Sequence, residues 1–410
     1  MGFRPDAKGA LMKGWLAWLL LMTTICAGPT AAASSHETIC GWISAAEASG
    51  DVLFTVPDQP GATTVRLRPP GPDWRLAMID VKDASHHQLM LVRALPPCKV
   101  LEARRLVRTP DGAVGTIEVL TPDLGSVTAR EPQNPPLPIL DAGPAKAVMA
   151  HVDTGVNYLL SALQPHFATN GDGKLLGHDF WDDDERPFDA DPRANPYFPQ
   201  HHGTTVFSVL AREAPQTDIA IYRFPAPDMC RFGDLIEHMA QLSVRIVSLS
   251  MGSDSRSDWT CFEAAAQANP QMLFIVSAGN DGRDLDRMPV YPAALPLANM
   301  IVVTSSDDFG RLGRGSNIGA TTVDLMVPAE QVEVIDHRGA FAETGGTSYA
   351  VPRVAALAAR FLGANPDADT SAIIDFLTSR AIGAPGVPLF HGWIPDPTDD
   401  FGFQVADPNR

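Results

Sequence analysis

Positively charged residues are scarce in this sequence. Its 410 residues include 31 lysines and arginines against 48 aspartates and glutamates, which gives a formal net charge of −17. Such an excess of negative charge repels the phosphates of nucleic acids and the anionic surfaces of membranes. The composition therefore predicts that nucleic acid is not a partner of this protein. Hydrophobic residues make up 45% of the chain, which is ample for a large buried core.

A long apolar run occurs at one place in the sequence, near the N-terminus. It covers residues 14–27, follows a positively charged stretch and precedes Ala31 and Ala33, which have the A-x-A spacing of a cleavage site. This pattern predicts a signal peptide over residues 1–33 and a protein that is secreted or periplasmic. An uncleaved membrane anchor is the alternative, but the run is short for the ~20 residues that a spanning helix needs. After cleavage we expect no association with a membrane.

Zinc-binding patterns are absent, since the sequence contains neither C-x-x-C nor H-x-x-x-H. Outside the predicted signal peptide the cysteines are Cys40, Cys98, Cys230 and Cys261. An even number of cysteines in an oxidising compartment predicts disulfide bonds. Of the alternative pairings we expect Cys40–Cys98 and Cys230–Cys261, because each pair then lies within one predicted domain.

The chain divides into two blocks that are separated by prolines. Residues 34–128 contain short β-rich runs between turn residues and show no clear helical period, which predicts a small β-rich N-terminal domain. A proline-rich stretch over residues 129–145 is typical of an extended linker. Residues 146–382 form the second predicted domain, and residues 383–410 form a C-terminal tail.

Within residues 146–382, apolar runs of strand length alternate with helical segments. Nearly continuous apolar strands between helices predict an α/β fold, with a mostly parallel β-sheet that helices cover on both faces. In such folds the functional residues gather just beyond the carboxyl ends of the strands. The predicted strands cover residues 147–152, 219–222, 246–249, 273–276, 301–304 and 323–327.

A glycine-rich turn and an alanine-rich segment surround Ser348. The small residues 345–347 allow a tight turn and the close approach of another chain, and the alanines that follow favour a helix. Ser348 would then lie at a helix N-terminus, where free backbone N–H groups and the helix dipole stabilise an anion. A serine that only caps the helix is the alternative.

Three further segments place a polar residue at the edge of a predicted strand or helix. Asp153 ends one apolar run, His202 precedes Gly203 at the start of a predicted helix, and Asn280 follows another apolar run. Each has a structural alternative, namely an acid in a turn, a structural histidine and an asparagine that tolerates left-handed backbone geometry. The four segments are far more specific together than separately.

Together, the four segments resemble the signatures of the subtilisin-like serine proteases (subtilases, peptidase family S8). They read DTG at 153–155, HGT at 202–204, SAGN at 277–280 and GTS at 346–348. Their order along the chain, Asp, His and then Ser, is that of this family. The resemblance covers roughly residues 146–382 and implies a subtilisin-like fold for this part of the chain.

The resemblance implies an exported serine endopeptidase whose triad is Asp153, His202 and Ser348. In that role Ser348 forms an acyl-enzyme, His202 transfers the proton, and Asp153 orients the imidazole. Asn280 and the backbone N–H of Ser348 would bind the oxyanion. No cofactor is required, and the partners are protein or peptide substrates. The expected substrate-binding residues are Ser250, Met251, Gly252, Ser277, Ala278 and Gly279.

The sequence also departs from the family pattern. Tyr349 and Val351 replace the Met and Thr that commonly follow the nucleophile, and Arg353 stands where a histidine is frequent. All three are expected on the helix behind the nucleophile, where they affect packing. His201 directly precedes His202, and we assign His202 as the base because the Gly-Thr of the motif follows it.

Acidic residues are concentrated over residues 170–191. Clustered carboxylates bind Ca²⁺, and subtilases often contain a structural calcium ion, so the resemblance implies a candidate calcium site here. The alternative is a solvated acidic loop, since the spacing is not that of an EF-hand. No other metal is expected.

Two questions stay open at the level of the sequence. Residues 34–128 occupy the place of the subtilase propeptide, which assists folding and inhibits the enzyme intramolecularly, or they form a permanent accessory domain. The alternative functions are a catalytically silent binding protein on a subtilase scaffold and a non-proteolytic serine hydrolase. The intact triad residues argue against the first, and the absence of G-x-S-x-G around Ser348 argues against a typical esterase.

Overall fold

The computed structural model describes residues 35–59, 61–110, 112–224 and 228–403, which form an N-terminal domain and a larger second domain. The predicted signal peptide lies outside the described residues. Within them, no helix combines the length and the apolar character that crossing a membrane requires.

The N-terminal domain begins with a helix, α1 (His36–Ser49). The side chain of Ser35 accepts a hydrogen bond from the N–H of Thr38, and Gly50 ends the helix in the left-handed conformation. The sequence of this block shows no clear helical period, so α1 was not predicted. Only three of the 14 helical residues are buried, so the apolar stripe is too narrow to stand out in the sequence.

An antiparallel sheet of seven strands packs on α1, and neighbouring strands follow one another along the chain. One face of the sheet forms a hydrophobic core with α1, as the alternating burial along the strands shows. The predicted β-rich character of this domain is thus confirmed. The strands are β1 (Phe54–Thr55), β2 (Thr64–Arg68), β3 (Leu76–Lys82), β4 (Gln88–Leu95), β5 (Lys99–Arg108), β6 (Val114–Leu120) and β7 (Val127–Pro132).

The predicted linker, residues 129–145, begins inside β7 and then runs along the second domain. The carbonyl oxygen of Pro135 accepts a hydrogen bond from the Tyr158 hydroxyl at 2.5 Å. The carbonyl oxygen of Asp141 accepts one from the Thr169 hydroxyl at 2.8 Å. The segment is extended, and these bonds attach it to the surface of the second domain.

The second domain is built on an eight-stranded sheet in which all neighbouring strands are parallel. The predicted parallel sheet is confirmed, and its last strand lies within the predicted C-terminal tail. The strands are β8 (Met149–Asp153), β9 (Gly177–Asp179), β10 (Ile219–Arg223), β11 (Ile246–Leu249), β12 (Leu273–Ser277), β13 (Met300–Ser306), β14 (Leu325–Pro328) and β17 (Gly392–Trp393). Their spatial order is β9-β10-β8-β11-β12-β13-β14-β17. A separate hairpin consists of β15 (Val332–Ile335) and β16 (Phe341–Thr344).

Helices cover both faces of this sheet, as predicted. Consecutive strand residues such as Ile246 and Val247 are both buried, because they point into two different cores. This explains why the strands appear in the sequence as continuous apolar runs. The helices are α2 (Gly203–Glu213), α3 (Phe232–Gln241), α4 (Thr260–Ala268), α5 (Thr347–Ala364) and α6 (Thr370–Ser379). Helices α2, α5 and α6 pack on one face, and α3 and α4 pack on the other.

Strand β8 marks the point where the chain changes direction across the sheet. The chain first adds β9 and β10 on one side of β8 and then places β11 on its other side. The crevice outside the carboxyl ends of the strands at such a point is where α/β folds bind ligands. Asp153 is the last residue of β8 and therefore lies at this crevice.

Both predicted disulfide bonds are confirmed. Cys40–Cys98 connects α1 to the turn between β4 and β5. Cys230–Cys261 connects a short 3-10 helix (Met229–Arg231) to α4. Each bond lies within one domain, which was the reason for expecting these pairs.

Candidate active site

A hydrogen bond joins His202 to Asp153 at the carboxyl end of β8. Nδ1 of His202 donates to Oδ1 of Asp153 over 2.7 Å. The Asp153 side chain is buried, whereas the imidazole is 33% exposed. Burial lowers the pKa of His202, but the negative charge of Asp153 outweighs this effect and raises the pKa to about 9. The pair therefore stabilises the imidazolium ion, the form that a general base reaches when it accepts a proton.

Ser348 is the second residue of α5 and lines the same depression as this pair. Together with Asp153, His202 and Ser250 it lines a depression of about 320 Å³, the site cleft. Gly346 precedes the helix with a φ of 121°, a conformation that favours glycine. The hydroxyl of Ser250 donates to the carbonyl oxygen of Ser348 at 3.0 Å. At the second helical position, the backbone N–H of Ser348 has no acceptor within the helix, so it is available to an anion.

Asn280 lies beyond the carboxyl end of β12, against the start of α5. Its Oδ1 accepts the backbone N–H of Thr347 at 2.9 Å, so the carboxamide has a fixed orientation and its Nδ2 donor is directed elsewhere. The buried side chain of Asn317 stabilises this turn through hydrogen bonds. Its Nδ2 donates to the carbonyl oxygen of Ala278 at 2.8 Å, and its Oδ1 accepts two backbone N–H groups of the turn.

The predicted substrate-binding residues fall into two groups. Ser250, Met251 and Gly252 line the site cleft next to Ser348. The other three, Ser277, Ala278 and Gly279, lie at the end of β12, where the first two are buried. The N–H of Gly279 donates to the Thr347 hydroxyl at 3.2 Å. This second group therefore supports the turn that carries Asn280.

A buried carboxylate, Asp189, connects the segments that carry Asp153 and His202. Its Oδ1 accepts the hydroxyl of Thr154 at 2.6 Å, and its Oδ2 accepts the N–H of Thr204 at 2.9 Å. The same Thr154 hydroxyl accepts the N–H groups of His202, at 3.2 Å, and of the next residue, at 2.8 Å. Sequence analysis did not identify Asp189 or Asn317, because their partners are distant in the chain.

The neighbours of the Asp189 side chain determine whether this buried carboxyl group is ionised. Burial alone would raise the pKa of this carboxyl group, but His337 and the hydroxyls of Thr154 and Thr204 bring it below its ordinary value. Asp189 therefore stays ionised inside the protein. It is a fixed negative charge close to the imidazole of His202.

His201 belongs to a different environment from His202. Its Nδ1 donates to the carbonyl oxygen of Asp189 at 2.6 Å, and its ring stacks on His337 with centroids 3.7 Å apart. Burial and the neighbouring His337 lower the pKa of His201. Asp189, His201 and His337 offer metal-ligating atoms within 4.8 Å of one another. The carboxylate of Asp189 is already engaged by two threonines, however, so we interpret this group as a hydrogen-bond network.

Six of the acidic residues of the 170–191 stretch form ion pairs with arginines or a lysine. Among the described residues, the one group of possible metal ligands that includes an acid of this stretch is Asp189 with His201 and His337. This pairing supports the alternative of an acidic loop without calcium. The pairs are Asp179 and Asp182 with Arg223, Asp183 with Arg231, Asp184 with Arg186, Glu185 with Lys174, and Asp191 with Arg193.

The residues that depart from the family pattern pack α5 against α2. The hydroxyl of Tyr349 lies 3.0 Å from that of Thr205. The guanidinium group of Arg353 lies 3.1 Å from the Glu213 carboxylate, and Val351 is fully buried. Their side chains thus contribute to packing behind Ser348, as expected.

The architecture and the placement of these residues define a subtilisin-like α/β domain. The fold is similar to that of a lanthipeptide protease, with a TM-score of 0.51, 19% identity and coverage of 60% of this chain and 85% of that one. It is also similar to a chain in the structure of the subtilase cytotoxin SubAB assembly, with a TM-score of 0.50, 20% identity and coverage of 63% and 89%. At this level of identity, the likeness concerns the fold alone.

The chain belongs to the subtilase family, whose sequence profile matches residues 145–394. It is 30% identical over 228 residues to the thermophilic serine proteinase of Bacillus sp. (strain AK1), covering 52% of this chain and 51% of that protein. It is 26% identical over 256 residues to the halolysin-like extracellular serine protease Nep of Natrialba magadii, covering 58% and 44%. The chain thus spans about half the length of the curated relatives it matches. The family predicted from the motifs is confirmed.

Proposed function

We propose that this protein is an exported serine endopeptidase that uses Asp153, His202 and Ser348 as its catalytic triad. The observation that carries this proposal is the 2.7 Å hydrogen bond from His202 to Asp153 in the cleft that Ser348 also lines. His202 takes the proton of the Ser348 hydroxyl while Oγ attacks the scissile carbonyl carbon. It then gives the proton to the leaving amine, and water hydrolyses the acyl-enzyme by the reverse sequence of proton transfers.

Two hydrogen-bond donors are assigned to the oxyanion in this mechanism. One is Nδ2 of Asn280, whose Oδ1 is held by the N–H of Thr347. The other is the backbone N–H of Ser348, at the positive end of the α5 dipole. Donors that are fixed before the reaction stabilise the developing negative charge without a cost of reorganisation.

The substrate in this proposal is a protein or peptide in an extended conformation. Residues 250–252 directly follow the end of β11 and line the site cleft. We assign them as an edge that pairs with the substrate backbone by β-augmentation. Backbone pairing recognises any extended peptide, so the side chains around the cleft determine the preference between sequences.

We assign the N-terminal domain as a permanent accessory domain and not as an inhibitor bound in the active site. All the residues that line the site cleft in the described structure belong to the second domain. The N-terminal domain instead contacts the loop before His202, where the Tyr197 hydroxyl donates to Asp80 at 3.1 Å. N-terminal sequencing of the wild type and of Ser348→Ala tests this assignment. The same terminus in both, upstream of residue 36, is expected, and self-cleavage near residues 129–145 would contradict it.

Export is supported by the two disulfide bonds, because such bonds persist in oxidising compartments. The predicted signal peptide and the extracellular relative from Natrialba magadii agree with a secreted or periplasmic location. Cell fractionation tests this proposal, since recovery of the protein only from the cytosol would contradict it.

Two reagents separate the proposed function from its alternatives. A fluorophosphonate probe that labels the wild type but not Ser348→Ala shows an activated serine, which a silent binding protein lacks. Casein digestion by the wild type then separates an endopeptidase from a non-proteolytic hydrolase. We expect labelling and digestion, and the absence of both would refute the proposal.

A further inference from the structure

The N-terminal sheet carries a groove on the face that α1 does not cover. It has a volume of about 450 Å³ and lies between the sheet and residues 194–197 of the second domain. Its lining includes the apolar residues Met78 and Leu91 and the basic residues Arg66, Arg68 and Lys82. A lining that combines apolar side chains with charged ones is compatible with binding of a peptide.

Two of the three positive charges of this groove, those of Arg66 and Arg68, are available to a partner. Arg66 and Arg68 are exposed, and within the described part of the chain their side chains form no hydrogen bond or ion pair. Lys82 lies 3.6 Å from Asp80, the acidic residue of the lining. Unpaired arginines stand out in a protein whose formal net charge is −17. The groove is therefore complementary to negative charge.

A single loop forms a wall of both the groove and the site cleft. The backbones of Asp191 and Gln200 pair with each other, so residues 191–200 form a closed excursion. Asp191, Arg193 and Gln200 line the site cleft, whereas residues 194–197 line the groove. Arg193 and its neighbour at position 194 thus face different depressions, although their Cα atoms are only ~3.8 Å apart along the chain.

The tip of this loop is fixed to the N-terminal sheet. Arg104 donates a hydrogen bond to the carbonyl oxygen of Tyr197, and its guanidinium lies 4.4 Å from the centre of the Phe198 ring. Tyr197 also packs with Leu91 and Ile117 of the sheet. These contacts attach the loop that lines both the groove and the site cleft to the N-terminal sheet.

We propose that this groove is an exosite that binds an acidic segment of the protein substrate, a few residues away from the scissile bond. This inference rests on the proposed proteolytic function, because the exosite acts on a chain that already occupies the site cleft. A substrate that passes over the wall formed by residues 191–200 moves from the cleft to the arginines of the groove. Glutamates or aspartates at that point pair with Arg66 and Arg68 and lower KM.

The test compares peptides that share one cleavage sequence and carry either a glutamate run or a serine run of equal length. The comparison is made twice, once with the run on the N-terminal side of the scissile bond and once with it on the C-terminal side. For the wild type at low salt, we expect the acidic peptide to have a KM about threefold to tenfold lower, which is what two exposed ion pairs contribute. Salt removes this advantage because it screens exposed charges. The double substitution Arg66→Glu with Arg68→Glu also removes it. Equal KM values for the two peptides in the wild type, on both sides of the scissile bond, would overturn the exosite.

The matched control is the double substitution Lys99→Glu with Arg287→Glu, which changes the net charge equally but lies outside the groove and the cleft. This control variant should keep the lower KM for the acidic peptide. Loss of that preference in the control variant would show a general charge effect and overturn the exosite. If the wild type cleaves neither peptide, the result counts against the proposed function, and the exosite is tested by a binding measurement instead. Fluorescence anisotropy then decides: tighter binding of the acidic peptide to Ser348→Ala than to Ser348→Ala with both arginines reversed supports the exosite, and equal binding overturns it.

Discussion

Nδ1 of His202 lies 2.7 Å from Oδ1 of Asp153, which is the length of a charge-assisted hydrogen bond. The bond fixes the tautomer in which Nε2 is free to accept a proton. It also favours the charged imidazole, and the neighbouring Asp189 adds to this effect. In the proposed triad, a base of this kind binds the serine proton firmly after transfer, but it has to be neutral before the transfer begins.

The first prediction concerns the pH dependence of catalysis. Since the pKa of His202 is raised to about 9, kcat/KM should rise with pH and reach half of its maximum near that value. Below it the imidazole is protonated and cannot accept the serine proton. In Asp153→Asn the charge that raises the pKa is lost, so the rise should move to lower pH. The maximal kcat should also fall by roughly 10⁴ because the wrong tautomer is favoured. A pH profile that does not move in Asp153→Asn would contradict this account.

The second prediction separates the two adjacent histidines. His202→Ala should remove nearly all activity, whereas His201→Ala should keep most of it, because His201 binds the carbonyl oxygen of Asp189 and stacks on His337. Thermal unfolding of both variants controls for loss of structure. If His201→Ala were the inactive variant while folded like the wild type, the assignment of the base would be wrong.

The third prediction concerns Asn280. Asn280→Ala should raise the activation barrier by about 2.7–4 kcal/mol, the range known for loss of the equivalent donor in subtilisin, and kcat should fall accordingly. KM should hardly change, since the donor acts on charge that exists only in the transition state. Asn280→Asp is the matched variant: it keeps the acceptor for the N–H of Thr347 but lacks the donor. Activity of Asn280→Asp close to that of the wild type would exclude this role.

The fourth prediction concerns calcium. Addition of EDTA should leave Tm unchanged, because six of the acidic residues of the 170–191 stretch are paired with arginines or a lysine. The buried pair between Asp179 and Arg223, at 2.7 Å, provides the charge balance that an ion would otherwise supply. A drop in Tm that added Ca²⁺ reverses would show that the stretch binds the ion after all.

Much of the second domain could be predicted from the sequence, because a parallel strand that is buried on both faces appears as an unbroken apolar run. All six predicted strands occur, and two of the motifs contain Asp153 and His202, which form a hydrogen bond at the end of β8. Helix α1 escaped prediction because its apolar stripe consists of only Ile39, Ile43 and Ala46. Local periodicity is weak evidence where so few residues are buried.

The supporting residues of the site could not be predicted, for a different physical reason. Asp189 and Asn317 act through hydrogen bonds to backbone and hydroxyl groups that are 15 to 39 residues away in the chain. A buried acid or amide with such partners has no local pattern, since its role depends on the tertiary fold. The position of the loop at 191–200 between the groove and the site cleft could not be predicted either, because it depends on contact with the N-terminal sheet.

The most direct test of the central claim is mass spectrometry of a denatured protein substrate after incubation with the wild type and with Ser348→Ala. The proposed triad predicts internal cleavage products from the wild type and none from Ser348→Ala, although both should be equally well folded. The same products from both proteins, or none from a folded and mature wild type, would contradict the claim that Asp153, His202 and Ser348 act together in peptide-bond hydrolysis.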